Sequence, residues 1–441
     1  MKYLIHIYFI LFLNLISTKG FSNTDGTGLV KVDCRDFIAS LPLDFMTGYI
    51  SVPEDWNQPK GQKINVFYYG RKILDPSQPT IAFFNGGPSS SSHGSYEAIR
   101  QREENQKINF IYIDQRGTGC STPYPEGVSN ESAKRLENYT TRSIVNDAEE
   151  IRKILLGLNS KWKIFGQSYG GMIVQRYISM YPESIVAAYA HGYAIMTDQI
   201  EWMKLRILSQ KRVIENYFQD YPQDRADLEK IKSLIPKDQC LTDNGISLCG
   251  TVFVDILRHP LGFHDSWADM HWWIENLAKF MIEQPSMIQG FSNFYYTDFT
   301  HDQLPSLVIN KIEITKGLSD RDECNQAFKR LTTAGDNPEK WPINECRVLI
   351  NLENHQFDKV LGSVQVTDAL TVDSVSAALI KNSDLKFYLY AGEQDVFVPI
   401  ETFQELAQKL NGLINFNFEI FKDSGHEGFF SEQKIWDDLR R

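Results

Sequence analysis

In Gly166-Gln167-Ser168-Tyr169-Gly170 a serine stands two residues after one glycine and two before another. A serine hydroxyl attacks a carbonyl carbon only when it is held clear of its own backbone and close to a base. The flanking sequence predicts such a mounting. Lys163-Ile164-Phe165 reads as a short buried strand, and Met172, Ile173, Val174, Tyr177, Ile178 and Tyr181 recur at helical spacing until Pro182 stops them. A strand turning sharply into a helix lifts Ser168 above the sheet edge, and the glycines are there because side chains would clash in so tight a turn.

A serine nucleophile needs an acid and a histidine downstream, in that order. Lys386–Tyr390 reads as another strand, and Asp395 lies in the loop just beyond it, at a strand's carboxyl end. Phe416–Phe421 reads as the next strand, followed by Asp423-Ser424-Gly425-His426-Glu427. The interval holds one helix, Glu401–Leu410, and one strand, so the two loops should meet over one edge. Ser168 would then be the nucleophile, His426 the proton carrier, and Asp395 the group fixing the imidazole tautomer. An oxyanion hole follows from Thr80–Phe84, a strand leading into Asn85-Gly86-Gly87-Pro88. An amide of Gly86 or Gly87, with that of Tyr169, could face the developing charge. Taken singly, Asp395 reads equally as a turn aspartate, His426 as a solvated histidine, and the glycine pair as an ordinary turn. Their joint order and spacing carry the inference.

The chain resembles the proline iminopeptidase and tripeptidyl aminopeptidase group of α/β-hydrolases, which are serine peptidases. Asp114-Gln115-Arg116-Gly117-Thr118-Gly119-Cys120-Ser121 is close to that group's Asp-Gln-Arg-Gly-x-Gly-x-Ser signature. Gly48–Tyr69, with Val52-Pro53, Trp56, Pro59 and Gly61, resembles the leading hairpin of its secreted members, and Gly166–Gly171, Asp395 and His426 match its triad loops. The resemblance implies an α/β-hydrolase fold with a mostly parallel sheet, helices on both faces and an inserted, mainly helical cap. It covers roughly residues 45 to 195 and 380 to 430. One departure matters. Where the group has His-Gly-Gly-Pro-Gly, this chain has Asn85-Gly86-Gly87-Pro88-Ser89, which is similar to serine carboxypeptidases. There an asparagine and the residue before the nucleophile hold a substrate carboxylate, so Asn85 and Gln167 are candidate substrate-binding residues. Asp114 and Arg116 are expected to support the site rather than touch substrate.

Length and charge bound the remaining possibilities. A chain of 441 residues exceeds one compact core, so a main domain with an insertion is expected. A net charge of −11 with no basic run argues against a nucleic-acid partner. Lys2, the apolar run Tyr3–Ile16 and the small residues of Ser17–Ser22 have a signal-peptide layout, the competing reading being an uncleaved anchor. The expected division is a signal segment 1–22, a core in two parts, 23–194 and 372–441, and a helical cap 195–371. A secreted, periplasmic or lumenal destination, without stable membrane association after cleavage, agrees with six cysteines. Of the fifteen pairings that six cysteines allow, the one expected from sequence proximity is Cys240–Cys249 and Cys324–Cys346, which leaves Cys34–Cys120; free thiols are the competing reading if the leading segment is not a signal. No zinc-like Cys/His spacing is present, and no metal or organic cofactor is expected.

In the middle segment, Trp202–Phe218 and Trp267–Met287 carry apolar residues at helical spacing. Trp272, Trp273, Phe291, Phe294, Tyr295 and Tyr296 either line an apolar substrate pocket or form the cap's own core. An aminopeptidase needs a carboxylate for the substrate's amine, and Glu275 is the first candidate, with Glu201 and Glu215 as others. Three classes stay open: a serine exopeptidase acting at the amino end of short peptides, with a carboxypeptidase as its variant; an ester or amide hydrolase using the same triad; and a binding protein on the same scaffold.

Overall fold

The computed structural model describes residues 33–72, 74–127, 129–196, 198–234, 240–243, 246–249, 260–283, 304–314, 316, 320–335, 364 and 369–441. The proposed signal segment, Phe291, Phe294, Tyr295, Tyr296 and Cys346 lie outside the described residues, as do the side chains of Trp273, Cys240, Cys249 and Cys324. Two of the three expected disulfides therefore fall there. For one of them the backbone is informative: β7 (Cys240–Asp243) and β8 (Ile246–Cys249) form an antiparallel ribbon in which Cys240 pairs with Cys249.

Apolar residues alternating along short strands build the centre of the molecule. The strands are β1 (Phe45–Pro53), β2 (Lys63–Arg71), β3 (Thr80–Phe84), β4 (Asn109–Ile113), β5 (Trp162–Gln167), β6 (Ile185–His191), β9 (Lys386–Gly392) and β10 (Phe416–Phe421). They form one sheet in the order β1-β2-β4-β3-β5-β6-β9-β10, in which β2 runs against its two neighbours and every other pairing among β3–β6, β9 and β10 is parallel. Parallel strands need helical crossovers on both faces, so these strands are buried twice over. Ala82, Phe84 and Ile164 enter one core, with the helix Tyr169–Met180. Ile81, Phe83 and Phe165 enter the other, with Phe429 and Trp436. The strands and helices read from the sequence around Ser168, Asp395 and His426 are present within a few residues of their expected bounds.

Between β6 and β9 the strand–helix alternation stops. The chain instead forms the helices Gln199–Asp220, Asp224–Leu234, Trp267–Glu283, Leu304–Ile309 and Asp320–Thr333, with a π-turn at Asn310–Ile314. Helix Gln199–Asp220 starts on Asp198, whose side chain accepts from the amides of Ile200 and Glu201.

The turn from β5 into the helix Tyr169–Met180 is an unusually close approach. Ser168 sits there at φ 55°, ψ −121°, a conformation that costs a side-chain-bearing residue on the order of 1–3 kcal/mol. A Cβ on Gly166 would lie 2.0 Å from the carbonyl oxygen of Gly170, and one on Gly170 would lie 2.0 Å from that of Phe84. The turn and the end of β3 thus touch through bare backbone. The disulfide Cys34–Cys120 ties the helix Cys34–Ser40 to the loop after β4, across 86 residues of chain.

Two predictions follow from this architecture. Gly166→Ala and Gly170→Ala should each lower the unfolding free energy, read from guanidinium denaturation, by about 1–3 kcal/mol, the cost of an overpacked site; wild-type stability in both variants would contradict so close a backbone contact. The double variant Cys34→Ala/Cys120→Ala should lose about 2–5 kcal/mol, the usual range for a native disulfide, read in the same denaturation experiment.

Candidate functional site

Because β3, β5, β6, β9 and β10 are parallel neighbours, their carboxyl ends open on one rim. The loops there carry, in strand order, Gly86, Ser168, Gly192, Asp395 and His426. Ser168 donates its own amide to the carbonyl of His191 at 2.8 Å. The next amide, on Tyr169, opens the helix Tyr169–Met180 and so has no partner within it. Of the two glycines after β3, Gly86 lies against the nucleophile: a Cβ there would be 3.3 Å from Ser168 Cβ and 3.8 Å from its Oγ. Gly87 is exposed and takes φ 124°, shaping the turn.

The histidine and the acid are joined. His426 Nδ1 and Asp395 Oδ2 are 2.6 Å apart, and Asp395 is fully buried. The other carboxylate oxygen, Oδ1, accepts from the amides of Phe397 at 2.7 Å and Val398 at 3.0 Å. Burial works against a charged imidazole, but the adjoining Asp395 carboxylate outweighs it and raises the His426 pKa above the ordinary 6.5. The imidazole rests on Gly192, where a Cβ would lie 3.0 Å from His426 Cε1. Gly192 follows His191, to which the Ser168 amide is bonded, so one short segment underlies both side chains. Among the described residues no hydrogen bond joins Ser168 Oγ to His426; such bonds often close only when substrate is bound.

The inserted segment is seated directly on the acid and histidine loops. The His426 amide donates to the carbonyl of Gly262 at 2.8 Å. Phe263, with Phe397 from the acid loop, flanks the imidazole at 6.0 and 5.2 Å between ring centres. From the helix Gln199–Asp220, Ser209 Oγ donates to the carbonyl of Asp395 at 3.1 Å, Arg212 to that of Glu393 at 2.8 Å, and Asn216 to Gln394 Oε1 at 3.0 Å.

The expected substrate-binding residues are placed differently from the supporting ones. The Asn85 side chain is engaged within its own loop, its Nδ2 donating to the Ser91 carbonyl and its Oδ1 accepting from Ser95 Oγ. Gln167 donates from Nε2 to the His426 carbonyl at 2.7 Å and pairs through Oε1 with His191 Nδ1 at 2.6 Å. Each amide is thus engaged with this chain, Asn85 with the segment that follows it and Gln167 with the ends of two neighbouring strand–loop units. Glu275 is exposed on the helix Trp267–Glu283, and Trp272 on the same helix is 38% exposed. Glu201 pairs with Lys204 and Arg330, and Glu215 with Arg225.

Asp114 and Arg116 are buried and hold loops. Asp114 Oδ1 accepts from the Ser92 amide at 2.8 Å and hydroxyl at 2.7 Å, while Oδ2 accepts from the Cys120 amide at 2.8 Å. It thus fastens the end of the Gly86 loop to the disulfide loop, and burial raises its pKa in spite of these bonds. A Cβ on Gly119 would lie 2.1 Å from Asp114 Oδ2, which is why a glycine stands there. Arg116 makes a two-point pair with Asp147 at 2.8 and 2.6 Å and donates to the carbonyls of Pro53, Glu54 and Asn138. It locks the β1–β2 hairpin to the helix Thr141–Leu156.

Three groups around the site have no clear mark in the sequence. His191 ends a strand whose other residues are Ile, Val, Ala and Tyr. Gly262 presents a carbonyl from a stretch with no periodicity. Glu313, on the π-turn and 3% exposed, accepts from the Thr141 amide at 3.0 Å and from the hydroxyls of Thr141 and Tyr169. It caps the start of Thr141–Leu156 from across the fold and steadies the ring of the residue after the nucleophile. Burial raises its pKa.

The chain is similar to several known proteins. Residues 79–231 match a family model described as alpha/beta hydrolase fold. A proline iminopeptidase of Aeromonas sobria is 31% identical over 159 residues, a match spanning 33% of this chain and 36% of the relative. The chain therefore aligns with little more than a third of that relative's length. A proline iminopeptidase of Aspergillus aculeatus is 26% identical over 367 residues, spanning 77% of this chain and 80% of the relative. A crystal structure of a proline iminopeptidase of Mycobacterium smegmatis overlays with a TM-score of 0.42 at 13% identity, covering 89% of this chain and 97% of that one. The sheet order, the strand–serine–helix turn and the sequence matches together identify an α/β-hydrolase-fold chain that resembles the proline iminopeptidases.

Proposed function

We propose that this chain is a serine exopeptidase that releases residues from the free amino end of short peptides. The observation that carries this reading is the buried Asp395–His426 pair standing on the same rim, and over the same His191-Gly192 segment, as a serine held in the positive-φ turn. Ser168 Oγ attacks the scissile carbonyl carbon and His426 Nε2 takes its proton. The amides of Gly86 and Tyr169 receive the charge that develops on oxygen. The imidazolium, stabilised by Asp395, returns the proton to the departing amine, and water then releases the acyl group by the same route. An apolar or prolyl residue at the amino end is the preferred substrate in this reading, which rests on the similarity to proline iminopeptidases. The bonds that Asn85 and Gln167 make to this chain weigh against the carboxypeptidase variant. The Cys34–Cys120 disulfide supports an oxidising destination, secreted or periplasmic, after removal of the leading segment.

Aminoacyl and tripeptidyl chromogenic amides, amino-blocked peptides and simple esters separate the open classes. Hydrolysis that requires a free amine is expected; cleavage of amino-blocked peptides with a free carboxyl end, or of esters alone, would sink the aminopeptidase reading. Ser168→Ala should lose roughly 10³-fold or more in kcat. Activity also depends on His426 being unprotonated. Its raised pKa means that the base form appears only at higher pH, so kcat/KM should climb with a midpoint above the ordinary histidine value of 6.5. A profile flat down to about pH 5 would remove His426 from the role of base.

A further inference from the structure

Gln167 immediately precedes the nucleophile, yet its side chain turns along the rim to two other strand ends. It donates from Nε2 to the main-chain carbonyl of His426 at 2.7 Å and meets His191 Nδ1 through Oε1 at 2.6 Å. Gln167 and His191 are register partners on β5 and β6, and His191 is in turn the register partner of Tyr390 on β9. His191 therefore ends the strand that separates the serine strand from the acid strand. His426 comes from beyond β10, at the sheet's edge, and must reach back over two strands to meet Ser168. Its main chain is pinned on both sides: the amide by Gly262, the carbonyl by Gln167.

We infer that Gln167 and His191 form a positioning pair that sets the reach of His426 toward Ser168, and that Gln167 does not bind substrate. This inference rests on the serine hydrolase reading above. The amide orientation follows from the chemistry of its contacts. A carbonyl oxygen can only accept, so the Gln167 group facing His426 is the NH2 group, and Oε1 is left to accept from His191. His191 must then carry its proton on Nδ1. Its Nε2 is buried and has no hydrogen-bond partner among the described residues. Burial, with the positive charge that His426 can carry nearby, lowers the His191 pKa to about 3. His191 therefore stays neutral and keeps one fixed tautomer while His426 cycles through its charged form. A neighbour that could titrate would instead compete for the serine's proton or release the strut.

The pair is tested by substitutions that remove the bonds and keep the volume. Gln167→Met should lower kcat by about 10- to 100-fold, the loss expected of a misplaced catalytic group, with KM within about twofold of wild type. The midpoint of the pH–kcat/KM profile should also move down toward 6.5, because a loosened His426 is held less well against Asp395. His191→Asn, whose amide can take the place of Nδ1–H, should keep most of the rate, whereas His191→Leu should behave like Gln167→Met. The double variant Gln167→Met/His191→Leu should be no slower than either single one. Wild-type kcat and an unshifted midpoint in Gln167→Met overturn the proposal, as does a raised KM at unchanged kcat, which would make Gln167 a substrate contact. Where Gln167→Met fails to fold, equal rates in His191→Asn and His191→Leu overturn it. Loss of activity in Ser168→Ala beside a fully active Gln167→Met defeats the positioning role alone; activity surviving in Ser168→Ala defeats the hydrolase reading, and this one with it.

Discussion

The contact between the serine turn and the end of β3 governs the rim. Strand, turn and helix can cross only where Gly166 and Gly170 carry no side chain, since any Cβ would fall 2.0 Å from a carbonyl oxygen. That approach holds Ser168 in a positive-φ conformation, sends its amide to the neighbouring strand, and leaves the Tyr169 amide without a partner inside its own helix. It also brings Gly86 within van der Waals contact of the serine side chain. A strained residue persists only where its surroundings over-determine it. Here they do so with two buried cores, one on each face of the sheet.

Around that crossing, polar side chains act mainly as struts between loops. Asp114 fastens the Gly86 loop to the disulfide loop, Arg116 locks the hairpin to a helix, and Gln167 links the nucleophile strand to the histidine loop. Asp114, Arg116 and Gln167 are all buried, so their hydrogen bonds are difficult to leave unmade. A satisfied buried network of this kind fixes one arrangement of loops whose own backbones have no regular structure.

The inserted segment is part of the same framework. Its Gly262 carbonyl holds the His426 main chain, its long helix Gln199–Asp220 bonds to the acid loop, and Glu313 reaches both Tyr169 and the start of Thr141–Leu156. A displacement of this segment would therefore be felt at the acid, the histidine and the residue after the nucleophile together. Its contacts with the rim are polar and apolar together: Trp202, Met203 and Ile207 share one buried cluster with Val398, Ile400 and Phe403, and Phe263 packs on Phe397.

What the sequence determined by itself is what short-range chemistry encodes. The β5 turn announces itself through two glycines between a strand pattern and a helix pattern, and the order serine, aspartate, histidine follows from successive strand–loop units. Parallel pairing then forces those loops to one rim, because every such strand presents the same end. The roles of Asn85 and Gln167 were not legible. An amide can hold a substrate or a neighbouring loop equally well, and only the tertiary structure decided which group stood opposite. Glu275 shows the same limit of local pattern: a carboxylate beside tryptophans suggests a pocket, yet what stands opposite it is decided by distant segments. His191 and Glu313 gain their places from partners 24 and 172 residues away, and Gly262 from His426 in another part of the chain. No local pattern records such partners, since the energy of a buried hydrogen bond belongs to the pair and not to either residue alone.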